Sequence, residues 1–189
     1  MSFIIHDECV CLSGPSGAGK TLLLRAIADL DPHHGQVFLD DVECNAFSAS
    51  GWRGRVGMLP AESQWWGDSV GEHFAQIDYG LLECLGFDKE VMHWQISRLS
   101  SGERQRLALV RLLSLHPGAL LLDEPTASLD PDNVRRVEEL IKDYRSRNET
   151  AVLWVSHDPE QIARVADRSL YLANGQLLPE PDPLCTLSA

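Results

Sequence analysis

Short apolar runs bounded by glycine, proline and aspartate alternate along this chain with longer stretches of helical period. "CVCLS" (9–13), "ALLLD" (119–123) and "AVLWVS" (151–156) are near-continuous apolar runs of strand length, the pattern of strands covered on both faces. Between them lie amphipathic stretches. The first follows residue 20 and sets Leu22, Leu23, Ala26, Ile27 and Leu30 on one side; others run from Glu103 to Leu115 and from Pro131 to Arg147. Asp158 followed by Pro159 reads as the capped start of a short helix. "RSLYLANGQLL" (168–178) reads as a hairpin, because Asn174-Gly175 suits a type I′ turn. Strands separated by helices predict βαβ units and an α/β fold on a mostly parallel sheet.

Two regions break this rhythm. "GQVFLDDVECNAF" (35–47) reads as a strand followed by polar turn material. From about Ser63 to Arg98 the composition is helical, with "VGEHFAQIDYGLLECLG" and "KEVMHWQI" separated by Gly86 and Asp88. An inserted helical lobe is expected at 63–98, within a core formed by 1–62 and 99–178, with a loose tail at 179–189.

A chain of 189 residues is one domain of this kind, large enough for a real core. Its net charge of −12 argues against a nucleic-acid partner and against holding anionic lipid by charge alone. No run approaches the roughly 20 apolar residues that span a bilayer. "MSFIIHDECVC" lacks the basic-then-apolar order of a secretory signal. Five cysteines, Cys9, Cys11, Cys44, Cys84 and Cys185, form no C-x-x-C pair. They read as small buried hydrophobes of a reducing compartment, Cys9 and Cys11 facing the same way.

The chemistry starts at "GPSGAGKT". Gly14, Pro15, Ser16, Gly17, Ala18, Gly19, Lys20 and Thr21 match G-x-x-x-x-G-K-[ST] in full, between a strand and a helix. Such a loop turns backbone N–H groups onto phosphate oxygens, and the helix adds the positive end of its dipole. Lys20 then reaches the β- and γ-phosphates, and Thr21 offers its hydroxyl to Mg²⁺. At the end of the "ALLLD" strand stand Asp123 and Glu124, which the pleat turns to opposite faces. Asp123 suits Mg²⁺ and Glu124 suits the polarisation of an attacking water. His157 ends another strand, so in a parallel sheet it shares a rim with Asp123 and the glycine-rich loop and is placed for the γ-phosphate. The other histidines, His33 and His34 among them, read as surface residues.

"RLSSGERQRLAL" (98–109) leaves two readings open. Ser100 and Glu103 have capping-box spacing, so the stretch is a helix start. Its tip of small residues, Ser101 and Gly102, is also bare enough for something to dock.

Taken in order, these motifs resemble the ATP-binding cassette ATPases, the motor subunits of ABC transporters, from about Phe3 to Leu178. "GPSGAGKT" and "ALLLDEP" are similar to Walker A and Walker B, and "LSSGE" (99–103) to the family signature. "ASLD" (127–130) is similar to the D-loop and "VSHD" (155–158) to the switch-histidine segment. The resemblance implies a P-loop NTPase fold with a small antiparallel N-terminal part, and a head-to-tail dimer of two copies with ATP and Mg²⁺ between them. It implies that Ser100, Ser101, Gly102 and Glu103 meet the γ-phosphate held by the neighbour's Walker A loop. Asp130 would link the two sites, and Glu124 and His157 would promote hydrolysis. Transmembrane permease subunits are the implied partners, with the chain peripheral to the cytoplasmic face of the membrane.

Several positions depart from that pattern. Only thirteen residues precede Gly14, and the upstream aromatic that stacks on adenine in the family is missing. A lost ring–base stack is worth about 1 kcal/mol, so ATP and GTP affinities are expected within about tenfold of each other in competitive titrations. Ala61 stands where the family has a glutamine, with Glu62 and Gln64 nearby, and slow hydrolysis follows. Ser101 and Glu103 replace the commoner glycine and glutamine of the signature. Trp65-Trp66 follow the Ala61 loop where the family docks its membrane partner; a cleft lip and packing within the lobe are both open to them. The compact length, "FSASGWRGRVGMLPAESQWWGDSVGEHF" and "TAVLWVSHDPEQIARVAD" resemble Fet-type cassettes, implying iron export. A non-transport cassette and a nucleotide-sensing regulatory subunit with little turnover are the alternatives.

Overall fold

The computed structural model describes residues 2–179. The expected tail, with Cys185, lies outside them apart from Pro179. Strand β1 (Cys9–Ser13) leads through the glycine-rich loop into helix α1 (Lys20–Ile27). A two-stranded piece, β2 (Phe38–Leu39) and β3 (Val42–Glu43), precedes α2 (Ala49–Arg55) and β4 (Val56–Leu59). After α3 (Tyr79–Cys84) come α4 (Ser101–Leu113), β5 (Ala119–Asp123), α5 (Pro131–Asn148) and β6 (Ala151–Val155). The chain continues through α6 (Pro159–Val165), β7 (Arg168–Ala173) and β8 (Gln176–Pro179).

Six strands form one sheet in the order β4-β5-β6-β1-β7-β8, parallel except for the β7–β8 hairpin. Asp123 pairs with Val155 and Leu12 with Val155, so β1, β5 and β6 end at one level. Ligands of open α/β sheets gather at that carboxyl edge.

The apolar runs explain how the sheet is sandwiched. With a side-chain period of two, Cys9, Cys11, Leu120, Leu122, Val152 and Trp154 face one core, under α4, α5 and α6. Val10, Leu12, Leu121, Leu153 and Val155 face the other, with Leu24 and Ala28 of the α1 segment and Trp52 of α2. Trp52 is fully buried and its indole N–H donates to the Ile27 carbonyl at 2.9 Å. Trp52→Ala removes that bond and leaves a large void. We expect a loss of about 3–5 kcal/mol in urea unfolding.

Four expectations are corrected here. The buried stripe of α1 is centred on Leu24, with Lys20 and Ala28 one turn either side of it on the same face, while Leu22 and Leu30 are exposed. "GQVFLDDVECNAF" is a tiny hairpin, not one strand, since Asp40 and Asp41 both take the left-handed region and turn the chain. The 63–98 segment contains one α-helix among the described residues, α3, with short 3-10 turns at Val70–His73, Lys89–His93 and Ile96–Arg98. Its helical composition is overridden by pairing: Val70 N–H donates to Trp94 O and Ile96 N–H to Asp68 O, both at 2.9 Å. Cys84 is exposed; Cys9, Cys11 and Cys44 are buried as expected.

Candidate nucleotide site

The glycine-rich loop leaves β1 beside β7. At Gly14 the backbone takes φ 142°, and a Cβ there would overlap the Leu172 carbonyl of β7. Gly14→Ala therefore forces β1 and β7 apart. We expect a loss of about 2 kcal/mol or more in denaturant midpoint experiments. At the other end of the loop, α1 starts after Gly19 with no side-chain cap on its first N–H groups. Uncapped N–H groups at a helix start are an anion site. Lys20 is buried, and its ammonium arches back to donate to the carbonyls of Gly14 (2.8 Å) and Pro15 (3.0 Å). Ser16, Gly17 and Ala18 complete the turn, closed by Ala18 N–H to Pro15 O at 3.1 Å.

Thr21, in the first turn of α1, donates its hydroxyl to Asp123 Oδ2 at 2.7 Å. Asp123 is 3% exposed, so this pair is an oxygen cluster at the foot of the loop. Glu124 follows it but does not simply alternate with it. The strand ends at Asp123, and Glu124 takes the left-handed region (φ 47°), a strained conformation for such a residue. That turn points Glu124 at His157, whose Nε2 lies 2.9 Å from Glu124 Oε1. The backbone N–H of Glu124 donates to Val155 O, tying the exits of β5 and β6. The loop, Thr21, Asp123, Glu124 and His157 thus share one rim.

The capping box on α4 is present. Ser100 N–H and Oγ donate to Glu103 Oε2, both at 2.8 Å, and Glu103 N–H donates to Ser100 Oγ at 3.2 Å. The Ser100 N–H, with smaller help from its hydroxyl and from Arg106 and Arg98, holds the Glu103 carboxyl below the usual carboxylate range. Its contribution is thus present at neutral pH and lost in acid, as pH falls through that lowered value. Ser100 and Ser101 are exposed at the tip. Gly102 lies against the 127–130 loop: a Cβ there would stand 3.0 Å from Ser128 O and 3.1 Å from Leu129 Cδ2. Asp130 caps α5, accepting from Asp132 N–H (3.1 Å) and Asn133 N–H (3.0 Å). The small tip and the D-loop-like segment are therefore one packed unit.

The structure adds residues that sequence reading passed over. Gln105 is 5% exposed; it donates to Pro60 O and accepts from Ser63 Oγ, both at 3.0 Å. It fastens the loop carrying Ala61 to α4. Its place on the Leu109–Leu113 stripe, where a polar side chain must find partners, was the available signal. Ala61, Glu62 and Gln64 are exposed. His73 is buried, not a surface residue: Nε2 accepts from the N–H groups of Trp66 and Gly67 at 2.9 Å, leaving Nδ1 to donate to Ser69 O. Trp65 and Trp66 meet its ring edge-to-face, and Arg111 lies over both indoles. Trp66 remains 74% exposed, at the lip of a cleft of about 260 Å³ floored by Leu59, Ala108 and Leu112.

A family model described as "ABC transporter" matches residues 2–127, from the N-terminal segment through Asp123 and Glu124. The chain belongs to the ABC transporter family. Among its relatives, the tungstate uptake system ATP-binding protein TupC of Peptoclostridium acidaminophilum is 34% identical over 178 residues, covering 87% of this chain and 81% of TupC. The energy-coupling factor transporter ATP-binding protein EcfA2 of Staphylococcus aureus is 30% identical over 191 residues, covering 90% of this chain and 67% of EcfA2. Among solved structures, a dimeric ATP-binding cassette in a post-hydrolysis state with ADP and phosphate superposes with a TM-score of 0.79 at 24% identity, covering 95% and 89% of the two chains. An ATP-bound bacterial Atm1-family ABC exporter gives 0.80 at 23%, covering 94% of this chain and 34% of its own. These two likenesses establish the P-loop cassette fold. As an ABC transporter ATP-binding subunit the chain is an ATPase. Iron export finds no support, since TupC is named for uptake of tungstate.

Proposed function

We propose that two copies of this chain pair head to tail, each lending Ser100–Glu103 to the ATP on the other's glycine-rich loop, and that hydrolysis drives a membrane permease. The observation that carries this reading is the shared rim of Lys20, Thr21–Asp123 and Glu124–His157, with an exposed small-residue tip on α4. The dimeric cassette with ADP and phosphate supports the pairing, and the transporter names of the relatives support a membrane partner.

The Thr21 hydroxyl and the Asp123 carboxylate fit a hard cation, because both offer oxygen and stand 2.7 Å apart. They would hold Mg²⁺, which neutralises phosphate charge when bound. This chain's own groups do the rest. Lys20 transfers its ammonium from the Gly14 and Pro15 carbonyls to the phosphates, and the uncapped N–H groups of α1 hold the oxygens between. Glu124 takes a proton from the water that attacks the γ-phosphorus, as the bond to the bridging oxygen breaks and ADP leaves. His157 orients Glu124 and faces the γ-phosphate. Ser100 and the N–H groups around Gly102 come from the neighbour, so the site is complete only in the dimer. Asp130, exposed at the start of α5 just after the Ser128–Leu129 segment that lies against that tip, would carry changes between the two sites.

Among the described residues no helix is long and apolar enough to cross a membrane. The chain would act at the cytoplasmic face, with the Trp66 cleft receiving a permease segment. Trp66→Glu should keep hydrolysis by the isolated chain and abolish co-purification with the permease. A second reading, a nucleotide-sensing subunit with little turnover, rests on Ala61, whose methyl group cannot orient water. Phosphate release from Mg·ATP, compared with Lys20→Ala, tests both. A Lys20-dependent turnover supports the motor, and ATP binding without turnover supports the sensor.

A further inference from the structure

Behind the rim lies a buried polar cluster that the mechanism above does not use. Gln161, in the first turn of α6, is 4% exposed. Its Oε1 accepts from Ser156 Oγ at 2.9 Å, and its Nε2 donates to Thr126 Oγ1 and to Glu138 Oε1, both at 2.9 Å. Glu138, on α5, is in turn held by both nitrogens of the Arg164 fork, at 2.9 and 3.0 Å. Ser156 also accepts from Asp158 N–H at 3.1 Å, which bends the chain directly after His157.

Ser156 immediately precedes His157, and Thr126 lies two residues after Glu124. One side chain therefore spans the two turns that present the proposed catalytic pair. Glu124 sits in the left-handed region, and a strained residue persists only where its surroundings over-determine it. The Thr126–Gln161 bond restrains the turn that follows Glu124, and the Ser156–Gln161 bond restrains the turn that carries His157. A buried amide with every partner in place is a rigid spacer. We infer that Gln161 is a positioning residue for hydrolysis, fixing the distance between Glu124 and His157 through Thr126 and Ser156. This rests on the proposed roles of Glu124 and His157.

Gln161→Leu keeps the volume and removes the bonds to Ser156, Thr126 and Glu138. A displacement of about 1 Å at reacting groups costs on the order of 100-fold. We expect kcat for ATP to fall by about 10- to 100-fold with KM within about twofold, since Gln161 touches none of the groups proposed to bind phosphate. Gln161→Glu sets a carboxylate against Glu138 and should lower kcat similarly. Combining it with Glu138→Gln reverses the pair: the new amide donates to the new carboxylate, which accepts from Ser156 and from the Thr126 hydroxyl turned round as a donor, while the amide oxygen keeps the bond from Arg164 Nε. That double variant should recover kcat to within about threefold of the parent. Unchanged kcat in Gln161→Leu, or no recovery in the double variant, overturns the inference; if Gln161→Leu does not fold, the Glu-bearing pair decides alone. Glu124→Gln, measured beside them, separates the two claims. If it still hydrolyses ATP, the reading of the site fails; if it is inactive while Gln161→Leu matches the parent, only the role of Gln161 fails.

Discussion

Glu124→Gln should lower steady-state ATP hydrolysis by about 10²- to 10⁴-fold, the range supplied by a general base. The substitution keeps the shape of the side chain and an oxygen for His157 Nε2, now 2.9 Å from the carboxylate. What it removes is the ability to take a proton. Lys20, Thr21 and the start of α1 do not depend on residue 124, so ATP affinity should change by less than about threefold in equilibrium binding. A fall in hydrolysis accompanied by an equal fall in affinity would instead place Glu124 in binding. His157→Ala is expected to be slow as well, because it releases the carboxylate that the left-handed turn aims.

Gly102→Asp should abolish ATP-dependent pairing while leaving the chain folded. An acid in the first turn of α4 favours the helix dipole, by about 0.3–1 kcal/mol. The crowding at Ser128 O and Leu129 Cδ2 (3.0 and 3.1 Å to a Cβ) opposes that gain, so thermal stability should move little. At the tip, however, the carboxylate meets a γ-phosphate of the same sign across the interface. With Glu124→Gln as background, we expect sedimentation to show monomers with Mg·ATP and nucleotide affinity to stay at the monomer's value. Dimers forming as before would mean that the tip does not face the neighbour's nucleotide.

The parts of the site that lie along one stretch of chain were legible in the sequence. "GPSGAGKT" is legible because its turn and the helix start after it are built from neighbouring residues, as in the Ala18 to Pro15 bond, and the Ser100–Glu103 box is equally local. The three apolar runs became the central strands β1, β5 and β6, since continuous hydrophobicity is required by cores on both faces. What escaped depends on distant partners. Residues 68–70 and 94–96 pair with each other, which composition could not show, and the lobe is correspondingly poorer in α-helix than expected. His73, Gln105 and Gln161 are polar side chains whose purpose appears only when Trp66, Pro60 and Thr126 are brought to them. Glu124 was expected to part from Asp123 through strand alternation. A left-handed turn produces that division instead, and no residue pattern announces it.

The most direct test of the shared site is the mass of the Glu124→Gln chain in solution, measured by light scattering without nucleotide and with Mg·ATP. A monomer that becomes a dimer only with Mg·ATP is the expected result, since each nucleotide would then be completed by the neighbour's Ser100–Glu103 tip. A chain that binds ATP and stays monomeric would contradict it.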